Sequence, residues 1–281
     1  MLRDRTRLFE YVVVIVVAVI ATYALLAATN QLRGGAAGSG SSSVFDQILS
    51  RGTLRAGIPI AGLPVASRDA SGKIEGFVPD MAAEMAKALG VTLEIVDTPG
   101  PDRIPFLRAG KIDFSIGTIT LERAKTIGFT KVWAVDATAA AYLKTSGIKT
   151  IDDIKGKRLV VVTGATGDLV ATKRFPDNQI QRVDLASTAI QAVLSGQADV
   201  VFDDLSALGL AASQNDQLEV GPALTTEPSG VMIPLGDYKW ENWVNYFLDD
   251  FYSSGVSTCG CGRDLYLKWF KVEHLPLNFG Y

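Results

Sequence analysis

Residues 117–123 read Gly-Thr-Ile-Thr-Leu-Glu-Arg and follow the short apolar run Phe114-Ser115-Ile116. Arg123 carries the most distinctive chemistry of this stretch, because a guanidinium is a planar fork that meets a carboxylate with two hydrogen bonds. Ser115, Gly117 and Thr118 lie just ahead of it and would add hydroxyl or backbone donors to the same anion. The stretch also reads as a helix start with Thr120 as its cap. The two readings are compatible, Thr120 capping and Arg123 binding. A second polar group, Gly164-Ala165-Thr166-Gly167, stands between a strand pattern and a helix pattern, where free amides attract anions. It lacks the Gly-x-Gly-x-x-Gly spacing of a dinucleotide loop, and a bare strand-to-helix turn would use the same residues. A third, Asp203-Asp204, ends an apolar run; a solvated helix start favours the same residue type.

Other chemistries are poorly supplied. The 281-residue chain has two cysteines, Cys259 and Cys261, and one histidine, His274. These cannot complete a four-ligand Cys/His zinc site, and no spare histidine stands near a candidate nucleophile. No cofactor or metal is expected. A disulfide between cysteines so close would be constrained, and the pair is read as structural. The net charge of −3, with both signs spread along the chain, gives no nucleic-acid footprint.

The elements that must position these groups read as alternating strands and helices. Strands are expected at 54–58, 93–96 and 113–117, with helices at 78–89 and 104–109. Val78, Met81, Met85 and Leu89 recur at spacings of three and four, with Asp80 near the helix start and Gly90 at its stop. A second set places strands at 158–163, 180–183 and 198–203, and helices at 168–175 and 188–194. Such alternation implies parallel sheets flanked by helices, in two α/β lobes. Gly110-Lys111-Ile112-Asp113 and Gly196-Gln197-Ala198-Asp199 echo one another. Five residues past each Asp stand Thr118 and Asp204, at strand ends where open α/β sheets bind ligands.

At the N-terminus, Arg3, Arg5 and Arg7 precede an uncharged run over 11–29. That run is long for a cleavable signal and matches a membrane-spanning helix, with the arginines kept in the cytoplasm. The expectation is a signal-anchor over 1–30, retained rather than cleaved, then a flexible Gly/Ser linker over 31–43.

Several motifs occur in order: Gly76-Phe77-Val78-Pro79-Asp80, Ile104-Pro105-x-Leu107, Gly110-x-x-Asp113, Thr118-Ile119-Thr120-x-x-Arg123, Ile151-Asp152-Asp153-Ile154-Lys155-Gly156-Lys157, Gly164-Ala165-Thr166 and Lys268-Trp269-Phe270. From Phe45 to Phe270 the chain resembles the family 3 extracellular solute-binding proteins, the amino-acid-binding components of ABC importers. The resemblance implies a two-lobed periplasmic-binding-protein-like fold whose lobes are joined by two hinge strands, near 139–143 and 225–232. Lobe 1 would span 44–138, hinge and lobe 2 139–230, and 231–281 would return to lobe 1.

It also implies a small zwitterionic or carboxylate solute, delivered to a membrane permease on the extracytoplasmic side. Arg123, Ser115, Gly117, Thr118, Ala165 and Thr166 would hold the carboxylate. Asp204 would accept the ammonium, and Asp203 would tune side-chain choice. Aromatic rings usual in the family are replaced by Gly62 and Val65, and another falls near Gly100; Trp133 is the candidate substitute ring. A dehydratase on the same fold is the alternative, but the position of its proton-donating acid is Ala207, although Asp203 could still serve as an acid. A tethered ligand-sensing domain is a further alternative.

Overall fold

The computed structural model describes residues 22, 42–271 and 274. The expected anchor and most of the linker lie outside these residues, and among the described residues no helix is long and apolar enough to cross a membrane. The body opens with α1 (Val44–Arg51), whose N-cap Ser43 accepts the Phe45 N–H at 3.2 Å.

The first lobe continues through β1 (Thr53–Ile58), a small hairpin of β2 (Ser67–Arg68) and β3 (Ile74–Glu75), α2 (Phe77–Leu89), β4 (Thr92–Asp97), α3 (Arg103–Arg108), β5 (Ser115–Thr118) and β6 (Gly128–Asp136). Strands β1 and β4 pair in parallel, and the Gly57 N–H donates to the Phe114 carbonyl at 2.9 Å, tying β1 to the segment that enters β5. The three- and four-residue spacing of α2 buries Val78, Met81 and Met85 against Phe114, Trp240 and Phe247. Its N-cap is Gly76, not Asp80. Asp80 instead accepts from Lys268 Nζ at 3.1 Å and Trp269 Nε1 at 2.7 Å, so it fastens the last helix to the first lobe.

The second lobe comprises β7 (Thr138–Leu143), β8 (Leu159–Val162), α4 (Thr166–Arg174), β9 (Ile180–Val183), α5 (Ala186–Leu194), β10 (Val200–Asp204), α6 (Leu205–Gln214) and β11 (Leu218–Val220). Its sheet runs β11-β7-β10-β8-β9. The helix-connected strands β8, β9 and β10 are parallel as expected. β7 and β11 break the pattern: β7 runs antiparallel to both β10 and β11. β7 arrives directly from the first lobe, with no crossover helix to reverse it.

The chain leaves the first sheet at Asp136 and enters the second at Thr138. It returns as β12 (Glu227–Ile233), which lies between β5 and β6, and then forms α7 (Tyr238–Asp249) and α8 (Gly262–Phe270). The two crossings are laced together: Thr138 N–H donates to Thr225 Oγ1, and Leu224 N–H to the Thr138 carbonyl, each at 2.8 Å. Cys259 and Cys261 form a disulfide in the loop before α8.

The sequence echo has a common structural job. After the left-handed Gly110, Asp113 accepts the Arg55 N–H at 2.7 Å and Arg55 Nη2 at 2.8 Å. After the left-handed Gly196, Asp199 accepts the Arg158 N–H at 2.8 Å and Arg158 Nη2 at 2.7 Å. In each lobe the carboxylate locks the start of the neighbouring parallel strand.

Candidate functional site

The site is built where strands end. β5 delivers Thr118, and the turn after it brings Arg123 back over the strand end. There the Arg123 N–H donates to Thr120 Oγ1 at 3.2 Å, although the short 3-10 turn that follows, Arg123–Lys125, has Glu122 and not Thr120 as its N-cap, while Arg123 Nη1 donates to the Thr118 carbonyl at 2.9 Å. Arg123 Nη2 reaches across to the second lobe and donates to the Gly164 carbonyl at 3.1 Å. Thr166 Oγ1 lies 3.2 Å from Thr118 Oγ1. The lobes therefore stand closed on one another at Arg123, Thr118, Gly164 and Thr166.

The turn carrying Gly164 and Thr166 is held by buried Asp168. This carboxylate accepts the Gly164 N–H at 3.1 Å and Arg182 Nε at 3.0 Å. A Cβ on Gly167 would stand 2.4 Å from the Phe202 carbonyl oxygen, so only glycine lets α4 approach β10 this closely.

Three expected residues are placed otherwise. Ser115, the first residue of β5, is fully buried three positions back from the cleft, and its Oγ has no hydrogen-bond partner among the described residues. Ala165 uses its N–H in the turn, donating to the Val162 carbonyl at 3.1 Å, so that amide is not presented to a ligand. Trp133 belongs to the core of the first lobe: it is 4% exposed and stacks on Phe77 at 5.2 Å. The aromatic surface it supplies is spent inside that lobe, leaving no ring for a ligand.

Gly117 lies beside a residue that sequence reasoning missed. Arg103, the first residue of α3, donates from Nη1 to the Ile116 carbonyl at 2.9 Å and from Nε to the Gly100 carbonyl at 3.3 Å. A Cβ on Gly117 would stand 3.3 Å from Arg103 Nη1 and 2.9 Å from Met232 Sδ, so glycine here makes room for the guanidinium. Arg103 precedes Ile104-Pro105, and that adjacency was the only sequence signal. Burial lowers its pKa to about 10, with the nearby Arg123 charge adding to the effect. Burial likewise lowers the Arg123 pKa, opposed by Glu227 and Asp204. The two arginines line one cavity of about 210 Å³ with Gly100, Ile104, Gly164 and Met232.

Facing them is an acidic floor at the hinge. Asp203 is buried; its Oδ1 accepts the Asp204 N–H at 2.9 Å, while Oδ2 has no partner among the described residues. Burial pushes the Asp203 carboxyl up to about 6, and pushes Asp204 well above the usual range, with Asp203, Asp136 and Glu227 adding like charge. Glu227 and Asp136 were not legible as site residues. Glu227 accepts from Thr118 Oγ1 at 3.2 Å, from Thr225 Oγ1 at 2.7 Å and from Thr138 Oγ1. It thus joins a cleft residue of the first lobe to both crossings. Asp136 accepts Ser206 Oγ at 2.5 Å and the Ala137 N–H at 2.8 Å, and burial raises its pKa.

The cleft mouth is a cavity of about 410 Å³ lined by Ala61, Ser67, Arg68 and Gly100 on one side and Val162 and Asp184 on the other, with no aromatic ring in its wall. Among the described residues no group of three or more His, Cys, Asp or Glu is arranged to hold a metal ion. The arrangement places two guanidinium groups of the first lobe and a threonine hydroxyl of each lobe beside a floor of carboxyl groups.

The family model described as bacterial extracellular solute-binding proteins, family 3, matches residues 54–272. The ABC transporter glutamine-binding protein GlnH of Bacillus subtilis is 29% identical over 210 residues, covering 72% of this chain and 75% of that protein. The crystal structure of the ancestral amino acid-binding protein AncCDT-1, a precursor of cyclohexadienyl dehydratase, is similar with a TM-score of 0.75 and 33% identity, over 81% of this chain and 100% of that one. A mutant of ArgBP from T. maritima is similar with a TM-score of 0.75 and 31% identity, over 82% of this chain and 100% of its own.

Proposed function

Because the chain belongs to the bacterial extracellular solute-binding proteins, family 3, we propose that it captures a small amino-acid-like solute by lobe closure and delivers it to an ABC transporter permease. The observation that carries this reading is the contact of Arg123 with Gly164 across the cleft. A ligand carboxylate that replaced the Gly164 carbonyl as the acceptor of Arg123 and also took the Thr166 hydroxyl would be held by both lobes at once, and so would favour the closed state over the open one. In this reading Arg123, Thr118 and Thr166 hold the carboxylate and Asp204 accepts the ammonium, with Asp203 behind it. A closed cleft strengthens both interactions by excluding water.

The relatives support this class of solute: GlnH is named for glutamine, and AncCDT-1 is described as amino acid-binding. We assign no reaction to the chain. AncCDT-1 is a precursor of a dehydratase, but Ala207 stands at the position the family resemblance gives to the proton-donating acid. Turnover of prephenate or arogenate dependent on Asp203 would overturn that assignment.

The protein acts outside the cytoplasm, tethered by an uncharged run over 11–29 behind Arg3, Arg5 and Arg7. Resistance of the full-length protein to alkaline extraction from membranes, with an intact N-terminus by sequencing, is the expected result; a mature protein starting beyond residue 30 would reject the tether. A thermal-shift screen of amino acids, amines and small carboxylic acids tests the receptor reading, since a ligand of the folded state raises the midpoint. If no zwitterion or carboxylate raises it, the site is misassigned.

A further inference from the structure

We infer that the solute carries two separate anionic groups and one ammonium, as a dicarboxylic amino acid does; this rests on the amino-acid receptor reading. The basis is which charges around the cleft are already satisfied. Glu227 is engaged by three threonine hydroxyls, Asp136 by Ser206 and the Ala137 N–H, and Asp203 through one oxygen by the Asp204 N–H, its other oxygen lying buried without a partner among the described residues. Three charged groups are left open. Among the described residues, neither Arg103 nor Arg123 makes an ion pair; each guanidinium donates only to backbone carbonyls, and Arg103 Nη2 donates to nothing. The Asp204 carboxylate accepts no hydrogen bond from a described residue, and Asp204 is the one acid that acts on both arginines.

Two half-buried cations converging on one cavity repel one another; Asp204 attracts both and Glu227 attracts Arg123, but among the described residues no acid pairs with either. A monocarboxylate would neutralise one guanidinium and leave the other desolvated. A ligand bearing two carboxylates and an ammonium gives each guanidinium an anion and gives the Asp204 carboxyl a cation that favours its charged form. The cavity of about 210 Å³ is also smaller than the pockets that take drug-sized molecules, which suits a short side chain. Gly117 supports the same reading, since its missing side chain is what allows the Arg103 guanidinium to lie at the strand end.

The test is calorimetric titration of the full-length protein in detergent with L-glutamate, L-aspartate, L-glutamine, L-asparagine, L-arginine, succinate and glutarate. L-glutamate or L-aspartate should bind at least about tenfold more tightly than its amide, because the amide leaves a buried cation unpaired. Succinate and glutarate, lacking the ammonium, should bind more weakly than the amino acid. Arg103→Gln should bring acid and amide to within about threefold of each other, and Arg103→Lys, which keeps the charge without the fork, should retain part of the preference. The wild-type comparison stands even if Arg103→Gln does not fold. A neutral or basic amino acid that binds as tightly as either dicarboxylate overturns the inference, as does an undiminished preference in Arg103→Gln. An Arg123-dependent neutral or basic ligand would leave the receptor standing while rejecting the second anion. Absence of binding by every α-amino acid would reject both.

Discussion

Arg123 Nη2 donates to the Gly164 carbonyl at 3.1 Å, so a side chain anchored at the end of β5 in one lobe touches the turn before α4 in the other. The guanidinium that would clamp a carboxylate is therefore also part of the closed interface. Arg123→Ala should weaken binding of an amino-acid ligand by about 2–3 kcal/mol, the worth of hydrogen bonds to a charged group, which is roughly a 30- to 150-fold rise in Kd. Titration calorimetry checks this. An unchanged affinity would remove Arg123 from the site.

Closure also depends on Gly100. A Cβ there would stand 3.1 Å from the Thr163 carbonyl of the opposite lobe. The family resemblance suggests an aromatic near this position, and glycine lets the lobes come closer. Gly100→Phe should therefore hinder closure without touching either core. The expected outcome is a larger ligand-bound radius of gyration by small-angle scattering, an affinity several-fold lower, and an unchanged melting temperature without ligand.

The buried acids make stability fall as pH rises. Asp203 is raised to about 6 in the folded protein, above its ordinary value of 3.8. Between those two values the folded state binds more protons than the unfolded state, so the slope of stability against pH is negative there. The penalty is absent below about pH 4 and complete above about pH 6, of order 2–3 kcal/mol at roughly 1.4 kcal/mol per pKa unit. Asp203→Asn should remove it, raising the ligand-free melting temperature at pH 7.5 relative to wild type, with the difference shrinking toward pH 4. Denaturation at several pH values decides this, and an Asn variant less stable at pH 7.5 would contradict it. The depressed carboxyls of Asp168 and Asp199 act in the opposite sense, losing stability as pH falls below their ordinary range. The comparison with the variant isolates Asp203 from them.

The two echoing aspartates should differ in worth. The Asp113 side chain is 2% exposed and accepts from both Arg51 and Arg55, whereas that of Asp199 is 31% exposed. Asp113→Ala takes the acceptor from the Arg55 N–H and from two partly buried guanidinium groups, and should cost about 3 kcal/mol. Asp199→Ala, in a screened setting, should cost about 1 kcal/mol. Urea unfolding of both variants tests the ranking, and equal losses would refute it.

Much of the frame is legible along the chain because its signals are local. The apolar spacing of α2, the glycine stops at Gly90, Gly110 and Gly196, and the aspartate after two of them specify helices, turns and parallel strands over a few residues. The same locality made the contact between Thr120 and the Arg123 N–H readable, although Glu122 is the N-cap of the turn. Local spacing misled where a residue's surroundings come from distant segments. Trp133 looked available as a ligand ring, yet Phe77, 56 positions earlier, takes its face. Ser115 and Thr118 looked equivalent, yet the length of β5 puts one in the core and the other at the cleft. Arg103 carried only its adjacency to Ile104-Pro105 and Glu227 no recognisable signal, since their meaning depends on neighbours at Gly117 and Thr118 that only the folded sheet brings near. By itself, then, the sequence determined the family and the alternation of elements and singled out Arg123, because these rest on spacing and residue type. Tertiary structure decided which charges remain open, because satisfaction of a buried charge is a property of everything packed around it.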